Sequence, residues 1–573
     1  MIKEVLIKMT AVGTAVVTAT AVSATAKYSV SDLRNINESL LGKTEVTDDM
    51  DVNGDGRINV YDLTEMRKSF ASTGVFTESV YSADEKNVRY IGRNYLDSNN
   101  TAWLVQSGSA VEFTVNAKSA EITIAGDSSV NNEEKYRPRY AVLVDGEVIL
   151  DDILSEKAKT VKVFEGDKSR TATVKVIHLS EANNGAVGVS QIKVNSDFSV
   201  PVFPTAKKDL QIEFIGDSIT CAYGVEAHSN GDQFTTATEN FMKSYAYLTA
   251  QKLNADYSAV SYSGHGIISG YTTTDEKNTD SLVPPYYKNC GSFSEYAKPW
   301  NFEKSHNDVV VINLGTNDSS YIDKDFENRS QEFIDGYVDF ISEIRECNPD
   351  AYIICTLGIM GCEKEYPLIA QAVEEYSSKS GDSRIISYQS PTQNPADGYG
   401  ADWHPSEITQ QKNAYILSDK ICSVLGIESD QIGLDVASDA DYTVSIDPSS
   451  GANASTFFSD YDKSFWINMV NGGSSKDSIE ALISPIGIKK NGKYRLTFNC
   501  TTADGVEIPV ILRSADGSKE YFSDTFSANG EKAPFEAEFT ADISDENAQL
   551  VFKIGGKDYY NVTLYNLRLE KIG

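Results

Sequence analysis

Basic residues are scarce in this chain of 573 residues. Lysine and arginine number 51 against 83 acidic residues, which leaves a formal net charge of −32. Nucleic acids and anionic membranes would repel such a surface, because both carry dense negative charge. We therefore expect neither as a partner. A neutral polysaccharide fits this charge balance, although solubility alone would also account for it.

Histidine and cysteine are scarce as well, with five and seven copies. No pair of cysteines has the spacing of zinc ligands with histidines nearby. An odd number of scattered cysteines does not form the dense disulfide framework of a small extracellular domain. We expect most of these thiols to be small buried hydrophobic groups.

Long apolar runs are absent beyond the first residues of the chain. The N-terminal stretch carries Lys3 and Lys8 ahead of an apolar segment that is too short to span a bilayer. An A-T-A sequence ending at Ala26 fits a cleavage site, so residues 1–26 are predicted to be a secretory signal peptide. This predicts a secreted, extracellular protein.

A candidate calcium loop follows, where residues 51–62 read DVNGDGRINVYD. Oxygen ligands for a hard cation fall at alternating positions of this loop, and Gly56 permits its sharp turn. We expect a structural Ca²⁺ ion there; the alternative is an Asp/Asn/Gly turn without a metal. The predicted ligands are the side chains of Asp51, Asn53, Asp55 and Asp62 and the carbonyl group of Arg57.

Part of this pattern occurs twice, because Val30-Ser31-Asp32-Leu33 aligns with Val60-Tyr61-Asp62-Leu63. Residues 27–72 thereby resemble a dockerin, the duplicated module that attaches enzymes to cellulosomes by binding cohesin. The resemblance implies a cohesin-bearing scaffoldin as a partner and a location on a cellulosome or cell surface. Acidic ligands are missing from the first repeat, so this module would hold one calcium loop. A calcium-stabilised helical hairpin of another kind is the other interpretation.

The middle of the chain divides into a β-rich stretch and an α/β stretch. Residues 75–204 alternate apolar and polar positions between turns, which predicts a β-sandwich of jelly-roll type. Its role is either structural packing or substrate binding. In residues 205–427, strands alternate with helical stretches, which predicts a mostly parallel sheet.

Residues that could take part in catalysis follow the predicted strands of this α/β stretch. Ser218 ends the strand LQIEFIGDS and begins a helix, where its hydroxyl could serve as a nucleophile or only as a helix cap. Gly264 follows the next strand in the segment SGHG, and Asn317 follows DVVVINLGTND. His404 lies late in the stretch, in ADWHP, where a loop could bring a base to Ser218.

The segments GDSIT, SYSG, GTND and DWHP, in this order, resemble the four sequence blocks of SGNH hydrolases. The longer segments GDSITCAYGVE, SYSGHGI, VPPYYKN and DWHPS resemble carbohydrate esterase family 2, and RYIGRNY resembles the start of its β-sandwich. The resemblance implies a flavodoxin-like hydrolase domain behind a β-sandwich. It also implies a serine esterase that needs no cofactor for catalysis and removes acetyl groups from polysaccharides such as xylan and mannan.

The same resemblance assigns roles to individual residues. Ser218 would attack the acetyl carbonyl and His404 would act as general base. The oxyanion would be held by the N–H groups of Ser218 and Gly264 and by the Asn317 side chain. Asp402 would orient His404, although a backbone carbonyl serves instead in some members. His265 is a less favoured base, and Trp403 could be a platform for stacking on sugar.

Residues 432–573 read as a second β-sandwich. Their last strands resemble carbohydrate-binding modules of the family 4/9 type, and a stabilising domain without a ligand is equally consistent. Aromatic residues that could stack on sugar rings there are Tyr461, Trp466, Tyr559 and Tyr560.

Two other functions remain open for the whole chain. One is an SGNH esterase or lipase that acts on a different ester. The other is a non-catalytic carbohydrate-binding component of a scaffold that has kept the hydrolase fold.

Overall fold

The fold is described from a computed structural model. It describes residues 72–438, 440–459 and 463–573, together with the single positions 32, 35, 36, 39, 50, 51, 58 and 62. Asn53, Asp55 and Arg57 of the predicted calcium loop, and Tyr461, lie outside the described residues. Asp51 is half-buried and Asp62 is buried. The calcium site therefore stays a prediction.

Two compact units make up the fold. The first takes in both the β-rich stretch and the α/β stretch, up to residue 392 and again over 399–411. The second comprises residues 393–398 and 412–573. The β-rich stretch and the α/β stretch, between which the sequence predicts a boundary at residue 204, pack together in the first unit.

The β-rich stretch of the first unit forms one antiparallel sheet in which β3-β4-β9-β5-β8-β6-β7 are neighbours. β1 pairs with β9, while β2 and β10 pair with β5. All ten strands are linked by hydrogen bonds because the long strands β5 and β8 pair with each other on both sides of a register shift between Ala117 and Ser119. The jelly-roll arrangement stays a prediction. The strands are β1 (Ser72–Tyr81), β2 (Arg89–Ile91), β3 (Asn94–Leu96), β4 (Ala102–Leu104), β5 (Ala110–Gly126), β6 (Arg139–Val144), β7 (Glu147–Ile153), β8 (Ala158–His178), β9 (Val187–Phe198) and β10 (Val202–Pro204).

The α/β stretch contains the predicted parallel sheet, in the order β12-β11-β13-β14-β15. Every residue of β13 is buried, as expected for a central strand covered on both faces. The strands are β11 (Gln211–Gly216), β12 (Asp256–Ser261), β13 (Val309–Asn313), β14 (Tyr352–Leu357) and β15 (Ile385–Gln389). The helices are α1 (Ser218–Cys221), α2 (Tyr245–Lys252), α3 (Pro284–Tyr287), α4 (Thr316–Ile322), α5 (Phe326–Cys347), α6 (Tyr366–Ser380) and α7 (Glu407–Leu425).

Buried ion pairs join the β-rich sheet to the parallel sheet. Arg93 lies 2.9 Å from Glu213 of β11, and both side chains are fully buried. Arg89 of β2 contacts Asp256 of β12 at 2.5 Å. Ala182, from the segment between β8 and β9, is part of the apolar core beneath the parallel sheet.

The second unit is an antiparallel sandwich of two sheets, ordered β16-β19-β24-β21-β22 and β17-β18-β25-β20-β23. Alternate residues of both sheets point into one shared apolar core. The strands are β16 (Asp441–Ile446), β17 (Asn453–Ser459), β18 (Ser464–Asn471), β19 (Ile479–Ile488), β20 (Lys493–Thr501), β21 (Glu507–Arg513), β22 (Glu520–Ser527), β23 (Ala533–Thr540), β24 (Asp545–Lys553) and β25 (Tyr560–Lys571).

All seven cysteines are free thiols, and five of them are buried, which confirms the expectation of small buried hydrophobic groups. No helix in the described part of the chain is long and apolar enough to cross a membrane.

Candidate active site

Strands β12, β11 and β13 end side by side at one edge of the parallel sheet. Gly216, the last residue of β11, pairs with Ser261 of β12 and with Asn313 of β13. The segments that follow these strands therefore emerge next to one another, at the edge where open α/β sheets bind ligands. This register brings the GDSIT, SYSG and GTND segments together.

A sharp turn after β11 presents Ser218 at this edge. Ser218 is the first residue of α1, and the Asp217 side chain caps the helix by accepting a backbone hydrogen bond at 3.0 Å. A Cβ atom on Gly216 would lie 2.0 Å from Thr220 Oγ1, so the turn requires glycine at that position. Burial raises the pKa of Asp217 to about 7.

His404 lies directly against the Ser218 hydroxyl. The distance from His404 Nε2 to Ser218 Oγ is 2.9 Å, and His404 Nδ1 lies 3.1 Å from the Ala401 carbonyl oxygen. Because a carbonyl can only accept, we assign the ring proton to Nδ1, which leaves the Nε2 lone pair facing the hydroxyl. Burial lowers the pKa of His404, so the imidazole is neutral near pH 7. This is the state that a general base needs.

Asp402, which was predicted to orient His404, makes no hydrogen bond to the imidazole in this structure. Asp402 is exposed, with a left-handed φ of +50°, and its Oδ2 accepts a hydrogen bond from Tyr223 Oη at 2.9 Å. The Ala401 carbonyl oxygen takes the orienting position instead. The backbone carbonyl was the alternative that the sequence left open.

Aromatic rings also hold the imidazole in place. Tyr223 stacks on His404 with 4.2 Å between ring centroids, and Phe234 stacks on the other face of Tyr223 at 4.2 Å. Tyr223 thus contacts the imidazole through its ring and Asp402 through its hydroxyl group. Sequence reasoning missed Tyr223, although its place five residues after Ser218 in GDSITCAYG was a usable signal.

Three hydrogen-bond donors lie around this edge. The N–H groups of Ser218 and Gly264 make no hydrogen bond to another described residue. Asn317 Nδ2 donates to the His265 carbonyl oxygen at 2.9 Å and, more weakly, to Asp217 Oδ2 at 3.3 Å. Asn317 therefore links the segments after β11 and β12, and two backbone donors stay available for a ligand.

The other candidate base, His265, is engaged elsewhere. Its Nδ1 lies 3.0 Å from the Ser263 carbonyl oxygen, and no hydrogen bond joins it to Ser218 within the part of the chain that the structure describes. Burial lowers the pKa of His265. His404 is therefore the base that this geometry offers.

The aromatic residue predicted to bind substrate, Trp403, is 58% exposed beside the base. Its φ of +66° is left-handed, and its ring packs edge-on against Tyr399 with 5.1 Å between centroids. Tyr271, which is 59% exposed, donates its backbone N–H to the Gly264 carbonyl oxygen at 2.9 Å. Both rings are open to solvent.

Two family models match this chain. Residues 214–412 match the GDSL-like Lipase/Acylhydrolase family, and residues 90–204 match the Carbohydrate esterase 2 N-terminal family. The two matches cover the parallel-sheet stretch and the β-rich sheet in front of it.

The chain is also similar to named esterases. The chain is 34% identical over 424 residues to the cellulase/esterase CelE of Acetivibrio thermocellus, which covers 66% of this chain and 49% of CelE. It is 25% identical over 329 residues to an acetylxylan esterase/glucomannan deacetylase of Cellvibrio japonicus, covering 57% of this chain and 86% of that protein. The chain therefore spans about half the length of CelE.

A solved structure resembles the first unit. A family two carbohydrate esterase from Clostridium thermocellum, solved in complex with cellohexaose, is 31% identical with a TM-score of 0.53. The alignment covers 59% of this chain and 99% of that one. The acetyl xylan esterase Est2A from Butyrivibrio proteoclasticus, at 22% identity and a TM-score of 0.54, shares the fold. This chain belongs to carbohydrate esterase family 2, a family of carboxylic ester hydrolases.

Proposed function

We propose that this protein is a serine esterase that removes O-acetyl groups from plant cell-wall polysaccharides, xylan, mannan or a related polymer. The observation that carries the proposal is the 2.9 Å contact between Ser218 Oγ and the lone-pair nitrogen of His404. Relatives named as acetylxylan esterase and glucomannan deacetylase support the substrate class.

The chemistry begins with attack by Ser218. His404 Nε2 takes the hydroxyl proton as Oγ bonds to the acetyl carbonyl carbon, and the carbonyl oxygen becomes an oxyanion. The Ala401 carbonyl oxygen accepts from Nδ1 and so stabilises the imidazolium that forms. His404 then returns the proton to the departing sugar hydroxyl, and water releases acetate from the acyl-enzyme by the same steps in reverse.

The two free backbone donors would hold the oxyanion, and Asn317 would join them by exchanging its weaker 3.3 Å hydrogen bond to Asp217 Oδ2 for one to the oxyanion. Losing one such donor typically costs about 10²–10³ in kcat. We expect Asn317→Ala to lower kcat by about that factor, with a smaller change in KM.

A panel of substrates tests the reaction. Acetate release would be measured from acetylated xylan, acetylated mannan and aryl esters of increasing acyl length, with Ser218→Ala and His404→Ala as matched inactive variants. Activity that rises with acyl length points to a lipase-like esterase. Acetate release that survives Ser218→Ala, or is absent from the wild type, overturns the proposal.

We infer sugar contacts at the mouth of the site from Trp403 and Tyr271. Exposed rings beside a nucleophile are suited to stacking on the apolar faces of pyranose rings. Trp403→Ala should raise KM for a polymeric substrate while leaving the kcat for an aryl acetate close to the wild-type value.

We also infer that the second unit binds polysaccharide on the outer face of one sheet. Phe457 of β17 is 65% exposed and pairs in register with Trp466 of β18, which is 46% exposed. Amide side chains of Asn468 and Asn561 line the same shallow groove. Aromatic rings can stack on sugar rings, and the neighbouring amides can hydrogen-bond to sugar hydroxyl groups. This combination suits a neutral glycan.

Tyr559 and Tyr560, two of the other aromatics that the sequence offers for stacking on sugar, differ in exposure. Tyr559 is 83% exposed, whereas Tyr560 is buried and its hydroxyl donates to the Ile554 carbonyl oxygen. Retention of the full-length Ser218→Ala protein on insoluble xylan tests the face. Retention that is unchanged by Trp466→Ala contradicts sugar binding there.

We propose further that the protein is secreted and that its N-terminal module holds one structural Ca²⁺ ion and binds a cohesin. These proposals rest on the sequence patterns of residues 1–26 and 27–72. A cohesin pull-down with and without a chelator tests them. Capture that is absent, or indifferent to the chelator, contradicts the calcium-dependent tether.

A further inference from the structure

A carboxylate from the β-rich sheet lies beside the proposed oxyanion donors. Glu181 belongs to the segment between β8 and β9 and is only 4% exposed. Its Oε2 atom accepts a hydrogen bond from the Ser263 N–H at 2.8 Å. Ser263 directly precedes Gly264, whose N–H is one of the two free backbone donors.

The segment Tyr262–His265 forms a tight turn. The His265 N–H donates to the Tyr262 carbonyl oxygen at 3.3 Å, and Gly264 has a φ of +78°. A positive φ at the third residue alone is typical of a type II turn. The central peptide, which carries the Ser263 carbonyl and the Gly264 N–H, is rotated by about half a turn between types I and II. The turn type therefore decides where the Gly264 N–H points.

Several contacts hold this turn in the type II form. His265 donates from Nδ1 to the Ser263 carbonyl oxygen at 3.0 Å, and the Gly264 carbonyl oxygen accepts from the Tyr271 N–H at 2.9 Å. His265 is the last residue of the turn and Tyr271 follows it in sequence, so both could move with the turn. Glu181 belongs to the segment between β8 and β9, far from the turn in sequence. Its hydrogen bond fixes the Tyr262–Ser263 peptide, which enters the turn.

Glu181 is itself firmly held. Asn183 Nδ2 donates to the same Oε2 atom at 3.1 Å, and the Glu181 N–H donates to Glu239 Oε2 at 2.9 Å. The next residue, Ala182, packs in the core beneath the parallel sheet. Burial raises the pKa values of Glu181 and Glu239.

We propose that Glu181 is a positioning residue for the esterase reaction: it holds the Tyr262–His265 turn in the type II form and so keeps the Gly264 N–H directed at the oxyanion. The inference rests on the proposed esterase function. It gives the β-rich sheet a part in catalysis beyond packing.

Two variants at one position, with a distant control, test the proposal by kinetics. Glu181→Ala removes the acceptor and should lower kcat by about 10- to 100-fold with little change in KM, because one oxyanion donor is displaced. Glu181→Gln keeps an acceptor oxygen and should restore most of kcat. The distant control is Arg89→Met, which removes the contact to Asp256 between the β-rich sheet and the parallel sheet. It should lower thermal stability while keeping kcat.

A double variant separates positioning from general loosening. Gly264→Ala disfavours the positive φ of the turn, so adding Glu181→Ala to it should cost little more. Wild-type kcat in Glu181→Ala, no rescue by Glu181→Gln, or fully multiplicative losses in the double variant would each overturn the proposal.

Amide hydrogen exchange over residues 262–266 gives a readout that does not depend on activity. Exchange should be faster in Glu181→Ala than in the wild type and in Arg89→Met. Unchanged exchange would overturn the role of Glu181 even if the esterase is active. A wild type that releases no acetate would refute the esterase function, and the exchange result would still test the turn.

Discussion

At the scale of single residues, a backbone carbonyl holds the catalytic imidazole where many serine hydrolases use a carboxylate. The acceptor belongs to Ala401, three residues before His404, while Asp402 is bonded to Tyr223. A neutral carbonyl fixes the tautomer as well as a carboxylate would, but it stabilises the imidazolium less. The exposed Asp402 and the ring of Tyr223 lie close enough to supply part of that stabilisation.

Asp402→Asn should therefore have a modest effect. A carboxylate that orients the imidazole is worth about 10⁴ in kcat, whereas we expect this change to cost less than about tenfold. Steady-state kinetics with an aryl acetate measures it, and Tyr223→Phe is the matched variant that removes the same hydrogen bond from the other side. A loss near 10⁴ would show that Asp402 contacts His404 during turnover.

The pH dependence follows from the buried imidazole. Only neutral His404 can take the Ser218 proton, so kcat/KM should fall as the pH drops through the pKa of His404. Burial lowers that pKa, which places the midpoint of the acid limb below the usual value of about 6.5.

Asp217, whose pKa burial raises to about 7, is the other group that could produce this limb. The profile of Asp217→Asn should keep the same acid midpoint if His404 is responsible. Disappearance of the limb in that variant would reassign it to Asp217.

Sequence motifs singled out Ser218, His404, Gly264 and Asn317, and the structure places Ser218 against His404 and brings the segments of Gly264 and Asn317 to the same edge of the sheet. Their catalytic roles stay predictions. The sequence could not decide between Asp402 and a carbonyl, since a backbone acceptor leaves no trace in the side chain at its position. Glu181 was invisible for another reason: no motif links it to Ser263, 82 positions away.

At the scale of elements, parallel strands were predictable from uninterrupted apolar runs such as VVVIN, and the structure has them. The long strands β5 and β8 were not. Gly166 and Asp167 are residue types that favour turns, yet β8 continues through them. These two residues fall in the irregular part of the β5–β8 pairing, between the pairs Ala117–Arg170 and Ser119–Glu165, and the regular register resumes on either side.

The turn from β11 to α1 has little room. Gly216→Ala would place a Cβ atom 2.0 Å from Thr220 Oγ1 and 3.3 Å from the Asn313 carbonyl oxygen. We expect a loss of about 1–3 kcal/mol in the free energy of unfolding, typical of overpacking, and a lower kcat as Ser218 shifts.

Urea unfolding and steady-state kinetics measure the two effects of Gly216→Ala. The control is Gly231→Ala, where the nearest atom to the new Cβ, Ser229 Oγ, lies 3.8 Å away. Equal stability of the two variants would contradict a tight turn.

At the scale of the whole molecule, the charge excess and the β-rich flanks were plain from composition and alternation. The way in which the β-rich stretch packs against the α/β stretch could not be predicted, because their contacts are long-range pairs such as Arg93 with Glu213. An arginine in RYIGRNY has no feature that distinguishes a buried ion pair from an exposed charge.

Arg93→Met should destabilise the first unit strongly. The change leaves Glu213 buried without its partner, and breaking a buried pair in this way typically costs about 3–5 kcal/mol. Urea denaturation followed by tryptophan fluorescence measures the loss. Lys162→Met breaks an exposed pair with Glu165 and should leave the midpoint unchanged. A small effect of Arg93→Met would mean that water reaches Glu213.

The buried ion pairs between the β-rich sheet and the parallel sheet limit how this enzyme can be divided or recombined. A gene fragment that begins after β10 would encode a hydrolase stretch in which Glu213 and Asp256 are exposed. The Tyr262–His265 turn would also lose its hydrogen bond to Glu181. Transfer of the α/β stretch to another protein would therefore require transfer of the β-rich sheet as well.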